Sequence, residues 1–340
     1  MRTVWGVRFC LVFFIIVCTA CATPAVERGP LVIYSGRTEA FIQPILDAFA
    51  TAHPEIAVVV KYGKNSELAA LLLEERARPQ ADIFLTTDML VPLSLINEGV
   101  LAPAPIPGSE YVPATLKDAQ GRWTSVTSRA RVIIYNTDLV SPADAPQSML
   151  ALTDPRWRGK VAFADASNGP FQSQIAGMMH LLGTPATDAW VRALVANNTA
   201  FLANATDLRM AVGSGEFAIG VANHYHYELQ RREATNNHVG VVFPDQGATQ
   251  MGVLMNTSTV SQVAGSAHPD AAATFAAFLY APATQQLFAD VNYEFPVVPG
   301  VRITSGATQP DDFRQAAVSM DVVAADAQNA VLLMHNAGIP

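Results

Sequence analysis

Asn223-His224-Tyr225-His226-Tyr227 places two phenols, two imidazoles and an amide in five consecutive residues. Phenolate oxygen and imidazole nitrogen are both donors to transition metals. The stretch follows the apolar run Phe217 to Ala222 and precedes the helix-forming Glu228 to Glu233. It therefore marks a strand-to-helix turn, where open α/β sheets hold ligands beyond the carboxyl ends of their strands. The ordinary alternative is that the tyrosines pack as amphipathic residues and the histidines are solvated. Where the helix begins decides which side chains face the ligand. An extended turn sends Tyr225 and Tyr227 to one side, whereas an early helix turns His226 toward it.

A second group of residues suits an anion. Ser35-Gly36-Arg37 ends an apolar strand; Ser and Gly expose backbone N–H groups and Arg37 offers a two-pronged donor. Its plain alternative is a surface ion pair. His224-x-His226 has the spacing of a zinc pair, yet no thiolate donor is near it. Gly213-Ser214-Gly215 lacks the full dinucleotide-binding pattern and reads as a turn. No G-x-S-x-G motif and no local carboxylate pair point to catalysis.

The elements that must position these residues are short. Leu31 to Tyr34, Ile56 to Val60 and Ile83 to Leu85 read as strands. Between and after them lie helices over Glu39 to Ala50 and Ser66 to Ala77, the second capped by Asn65 or Ser66, and one capped by Asp88 that ends at Gly99. This βαβαβ order implies a parallel or mixed sheet flanked by helices. Ala102 to Pro107 breaks the pattern as a loop. A second series starts at Val132-Ile133-Ile134-Tyr135 and continues through Val161 to Phe163, a helix near Asp188 to Val195, Ile219 to Val221, and Val239 to Phe243.

With 340 residues the chain is long enough for two domains, each with its own core. Half its residues are hydrophobic and 15% are charged, which excludes a disordered chain. The net charge of −8 argues against nucleic acid as a partner. Arg2 and Arg8 precede or flank the start of the apolar run Phe9 to Val17, too short to span a bilayer, so residues 1–20 read as an export signal. Cys18-Thr19-Ala20-Cys21 resembles a bacterial lipobox, with Cys21 as the lipidated residue and 21–30 as a tether. The alternative is simple signal cleavage. All three cysteines, Cys10, Cys18 and Cys21, fall in this region, so the folded part has neither disulfides nor thiolate sites.

Several segments, in order, resemble the ferric-ion-binding periplasmic proteins of ABC importers, the bacterial transferrins. They are Leu31 to Glu39, Ala81 to Phe84, Ser128 to Asn136, Trp157 to Val161, the 223–227 turn, and Asn292-Tyr293-Glu294-Phe295-Pro296-Val297-Val298-Pro299-Gly300. The resemblance covers nearly the whole mature chain. It implies an α/β, two-lobed periplasmic-binding-protein fold of type II, a Venus flytrap with two crossing hinge strands. Ser128 to Ile134 and Met251 to Met255 would lie near the crossings. Lobe 1 would be 31–128 plus 254–300, and lobe 2 129–253 plus 301–340.

In such proteins two adjacent tyrosines, a His, an acidic residue and a small synergistic anion grip the iron. Here Tyr225 keeps the first tyrosine position and His226 replaces the second. Thr38 stands where some members carry the His. Thr87 takes the acidic position, with Asp88 beside it. The expected metal ligands are accordingly Tyr225, His226, Tyr227 and Asp88. The anion set is Arg37, Ser35, Asn168, Gly169, Asn204 and Asn223, where Ser167 to Gln172 matches the loop that cradles the anion at a helix start. The ordinary alternative for Asn168-Gly169 is a plain turn. Arg129 and Arg131 read as hinge ion pairs, with a reach into the cleft as the alternative for one of them. The implied function is an exported, non-enzymatic, monomeric lipoprotein receptor that carries Fe3+ with carbonate or phosphate to a membrane permease. The same fold holding a phosphorylated or carboxylated metabolite without metal is the alternative, and a secreted enzyme is a remote one.

Overall fold

The computed structural model describes residues 29–304 and 306–340. The signal segment 1–20, Cys21 and nearly all of the 21–30 tether lie outside the described residues. Strand β1 (Leu31–Ser35) leads into α1 (Glu39–Ala52), β2 (Val58–Tyr62), α2 (Asn65–Glu74), β3 (Ile83–Thr86) and α3 (Leu90–Leu95). The middle of the chain holds β4 (Thr124–Asn136), β5 (Val161–Ala164), α4 (Gly169–Leu182) and α5 (Thr184–Ala196). It continues with β6 (Ala200–Leu202), α6 (Ala205–Gly213), β7 (Ile219–Asn223), α7 (His224–Gln230) and β8 (Val239–Val242). After these come β9 (Met255–Gln262), α8 (Pro269–Phe278), α9 (Pro282–Val291), β10 (Phe295–Pro296), α10 (Met320–Ala325) and α11 (Ala327–Asn336).

The strand order is β2-β1-β3-β9-β4-β7-β5-β6, with β10 and β8 also paired to β4. Strand β4 serves both lobes. Its residues Thr124 to Ala130 pair with β9, whereas Arg131 to Asn136 pair with β7 and β8. The chain crosses again just before β9. Leu254 belongs to the core containing Ile133, Phe163 and Trp190, and Val260 to the core containing Ile33, Phe49 and Phe288. The result is the expected two-lobed α/β fold. Helices α10 and α11 return to pack on α4, adding Val323, Ala330 and Met334 to that lobe's core.

Local sequence accounts for most elements. Helix α1 buries Ile42, Ile45, Leu46 and Phe49, a one-sided stripe of 3.6-residue period, with Glu39 in its first turn. Asn168 caps α4 by accepting the Phe171 N–H at 3.1 Å. Two elements depart most from expectation. Helix α7 starts at His224 immediately after the extended Asn223, four residues before the Glu228 to Glu233 pattern. Strand β4 starts at Thr124, eight residues before Val132, because its first half is built from buried Ser and Thr that carry no apolar signal. Among the described residues no helix is long and apolar enough to cross a membrane.

Candidate binding cleft

A cavity of about 290 Å³ lies where the lobes meet. The end of β1 supplies Arg37, and the bend of β4 between the lobes supplies Arg129 and Arg131. The starts of α4 and α6 supply Asn168 and Asn204, and the β7–α7 turn supplies Asn223, Tyr225 and His226. Glu294 completes the wall. A wider hollow of about 860 Å³ shares Arg37 and Asn168 with it and extends past Lys64, Asn65, Asp88 and Gly169. Gly36 is required at this junction. A Cβ there would come within 1.7 Å of the Asn65 amide oxygen, so a larger residue would displace the Asn65 side chain that anchors Thr87.

The cavity wall is strongly cationic. Arg37 Nη2 donates to Glu294 Oε2 at 2.8 Å, to Ser258 at 2.7 Å and to Thr127 at 3.0 Å. Arg129 Nε donates to Glu294 Oε1 at 2.8 Å, and its Nη1 to the Thr87 carbonyl at 2.7 Å. Burial alone would raise the Glu294 pKa, but the Arg37 and Arg129 guanidinium groups outweigh it and hold the carboxyl at about 2. Arg131 differs: its partners are Gln174 Oε1 at 3.1 Å, Asn223 Oδ1 at 3.3 Å and the Val221 carbonyl at 3.3 Å. Burial without an acidic partner pushes it down to about 9. Arg129 is thus the hinge ion pair expected of it, Arg131 has no acidic partner, and both reach the cleft. Arg37 is buried, which removes the surface-ion-pair reading.

The helical start of α7 settles the orientation of the turn. Tyr225 and His226 face the cavity with ring centroids 4.2 Å apart, and Phe41 of the opposite lobe stands edge-on to Tyr225 at 5.8 Å. Burial raises the Tyr225 pKa, against the pull of Arg129, Arg37 and Arg131. Burial and then the cations Arg209, Arg131 and Arg129 push His226 down to about 3, and its Nδ1 has no hydrogen-bond partner. Tyr227 does not line the cavity. It packs against the cluster containing Ala222 and Val239, with the Arg231 guanidinium 5.7 Å from its ring centre.

The remaining expected residues separate in the same way. Asn204 caps α6 through the Asp207 N–H at 2.9 Å and lines the cavity, as do Asn168 and Asn223. Ser35 lies behind it, accepting the Arg37 N–H at 3.1 Å and so fixing the backbone of that residue. Asp88 and Gly169 lie in the adjoining hollow. Asp88 accepts the Val91 N–H at 3.2 Å and is held by the Asn65 amide, the capping arrangement read from the sequence. Its carboxylate stands 3.0 Å from where a Gly169 Cβ would be. Glu294 was not singled out from the sequence. Its signal was available: an acid between Tyr293 and Phe295 in an apolar segment is a buried acid that needs a cation. Among the described residues no three His, Cys, Asp or Glu side chains cluster closely enough for a metal. Of the four expected metal ligands, Tyr225 and His226 face the cavity.

Known proteins share this architecture. The chain is 31% identical over 320 residues to iron uptake protein A1 of Synechocystis sp., covering 92% of this chain and 88% of that one. It is 27% identical to the Fe(3+)-binding periplasmic protein of Serratia marcescens, over 91% of this chain and 90% of the relative. The structure of the Trichodesmium protein IdiA (FutA), in complex with iron and citrate ligands, superimposes with a TM-score of 0.79 at 28% identity. That match covers 92% of this chain and 100% of the other. With residues 78–316 also matching its family model, the chain belongs to the bacterial extracellular solute-binding proteins.

Proposed function

We propose that this solute-binding protein captures ferric iron together with a synergistic anion and delivers it to the membrane permease of an ABC importer. The observation that carries this reading is the Tyr225 phenol opening into a cavity walled by Arg37, Arg129 and Arg131. A hard trivalent cation favours anionic oxygen, and it ionises the phenol that binds it. His226 offers a second donor, already neutral. The two donors leave coordination positions for the oxygens of an anion such as carbonate or phosphate. That anion would meet the arginines and the capped starts of α4 and α6, where helix dipoles favour negative charge. The names of the Synechocystis and Serratia relatives and the iron and citrate in the Trichodesmium structure support the same cargo class.

Residues 31–128 with 254–300 would form one rigid lobe and 129–253 with 301–340 the other. Contacts from both lobes to the cargo would favour the closed state that the permease recognises. Export through residues 1–20, lipidation at Cys21, a cell-envelope location and a monomeric state belong to the same reading. A second reading, an anionic metabolite bound without metal, draws on three guanidinium groups facing one carboxylate. Titration with ferric citrate separates the two. The first requires a visible phenolate-to-iron charge-transfer band that Tyr225→Phe abolishes, and a colourless wild type sinks it.

A further inference from the structure

The cleft wall contains an anion of its own. Both Glu294 oxygens are occupied: Oε2 by Arg37 and the Thr127 hydroxyl, the latter at 2.8 Å, and Oε1 by Arg129. The carboxylate is buried, as are all three arginines, and Arg131 has only amide and carbonyl partners. Three guanidinium groups and one carboxylate leave the wall two charges positive. Asp88, another buried acid, is held in the adjoining hollow by Asn65 and Val91. Neutral side chains make up the rest of the wall, so Glu294 is the term that reduces its positive charge.

We propose that Glu294 is a specificity-determining residue that sets how much negative charge the accompanying anion must carry. The inference rests on the ferric-plus-anion reading above. Ferric iron on one phenolate adds two positive charges to the wall's two, so the filled cleft approaches neutrality as the anion becomes more highly charged. With Glu294 in place a dianion leaves a modest excess. Without it the excess grows by one, and the advantage of a trianion grows with it. Burial makes the difference count, because opposite charges inside a protein attract several-fold more strongly than in water.

The experiment compares iron binding in the presence of carbonate with binding in the presence of citrate, read from the charge-transfer band. Glu294→Gln should raise the citrate-to-carbonate affinity ratio roughly tenfold, the scale of one charge acting across ~10 Å at an effective dielectric of ~20. Arg131→Gln should lower it by a similar factor, and Glu294→Asp should leave it unchanged. A purely structural Glu294 would instead weaken both anions equally. Ratios that stay at the wild-type value in Glu294→Gln and Arg131→Gln overturn the proposal. If Glu294→Gln fails to fold, Arg131→Gln and Glu294→Asp carry the comparison alone. A wild type without colour in either anion would defeat the iron reading itself. The proposal is then judged on calorimetric binding of citrate to the metal-free proteins, which should be tighter in Glu294→Gln than in wild type and overturns it if equal or weaker.

Discussion

From Thr124 to Ala130, β4 reads TSVTSRA; from Arg131 to Asn136 it reads RVIIYN, and both halves are buried throughout. The second half packs Ile133 against Val161, Phe163 and Trp190 in an apolar core. The first half lies beside β9, itself MNTSTVSQ, and the two exchange side-chain hydroxyl bonds instead. Thr127 reaches Ser258 at 2.7 Å and Glu294 at 2.8 Å, and the Thr257 hydroxyl donates to the Thr127 carbonyl at 2.7 Å. One strand thus stabilises a lobe by excluding water and, a few residues earlier, holds charges in place by satisfying them. Stability and cargo binding should separate along its length.

Breaking the polar half should have the largest effect. Arg37→Ala leaves Glu294 with Arg129 as its one cation and also unmakes the bonds to Thr127 and Ser258, and breaking into a buried ion-pair network costs about 3–5 kcal/mol. Urea unfolding should show that loss along with weakened cargo binding, and an unchanged midpoint would mean that Arg129 alone satisfies Glu294. Ile133→Ala, in the apolar half, should cost about 2–5 kcal/mol by leaving a cavity. Its cargo affinity, measured below the unfolding transition, should match wild type. A large affinity loss there would erase the distinction between the halves. Thr127→Val keeps the shape but removes one hydroxyl from Arg37, Glu294 and Ser258, for about 1–3 kcal/mol. That change should register in both unfolding and binding.

Acidity offers a gentler test. The Tyr225 proton, held more tightly than in a free phenol, must leave when a metal binds. Metal affinity should therefore rise about tenfold per pH unit below the phenol's pKa, after correction for the anion's own protonation. His226, at about 3, is neutral throughout and should add nothing to this slope between about pH 5 and 8. Proton release followed by calorimetry in buffers of different ionisation heat should give one proton per metal from the protein. Two would show that Tyr227 also ionises.

The same contrast explains what could be read from the chain. Strands such as Ile83 to Leu85 and the apolar half of β4 were legible because their side chains enter a core. The polar half of β4 and strand β9, whose hydroxyls hold Arg37, were not, since Ser and Thr alternate there without an apolar period. At the turn, the residue types named the chemistry, but the choice between His226 and Tyr227 depended on a helix start that the Glu228 to Glu233 pattern placed too late. Arg37 was found through its local Ser-Gly-Arg setting. Its partner Glu294 is 257 positions away and was visible only once the chain had folded.

Long separations of this kind also govern how the molecule is made. The Thr86 and Thr259 hydroxyls meet at 2.7 Å although they are 173 positions apart, because β3 finds its antiparallel neighbour only in β9. As the nascent chain emerges, β1 to β3 can assemble while the apolar edge Ile83-Phe84-Leu85 stays unpaired. The strands of the other lobe are all synthesised before that edge can be covered. Unpaired edges of this kind invite association with other chains, and pairings so distant in sequence form slowly. If the chain is exported as proposed above, slow closure would carry an advantage: a polypeptide that has not yet closed its sheet is the one that can be threaded through a membrane.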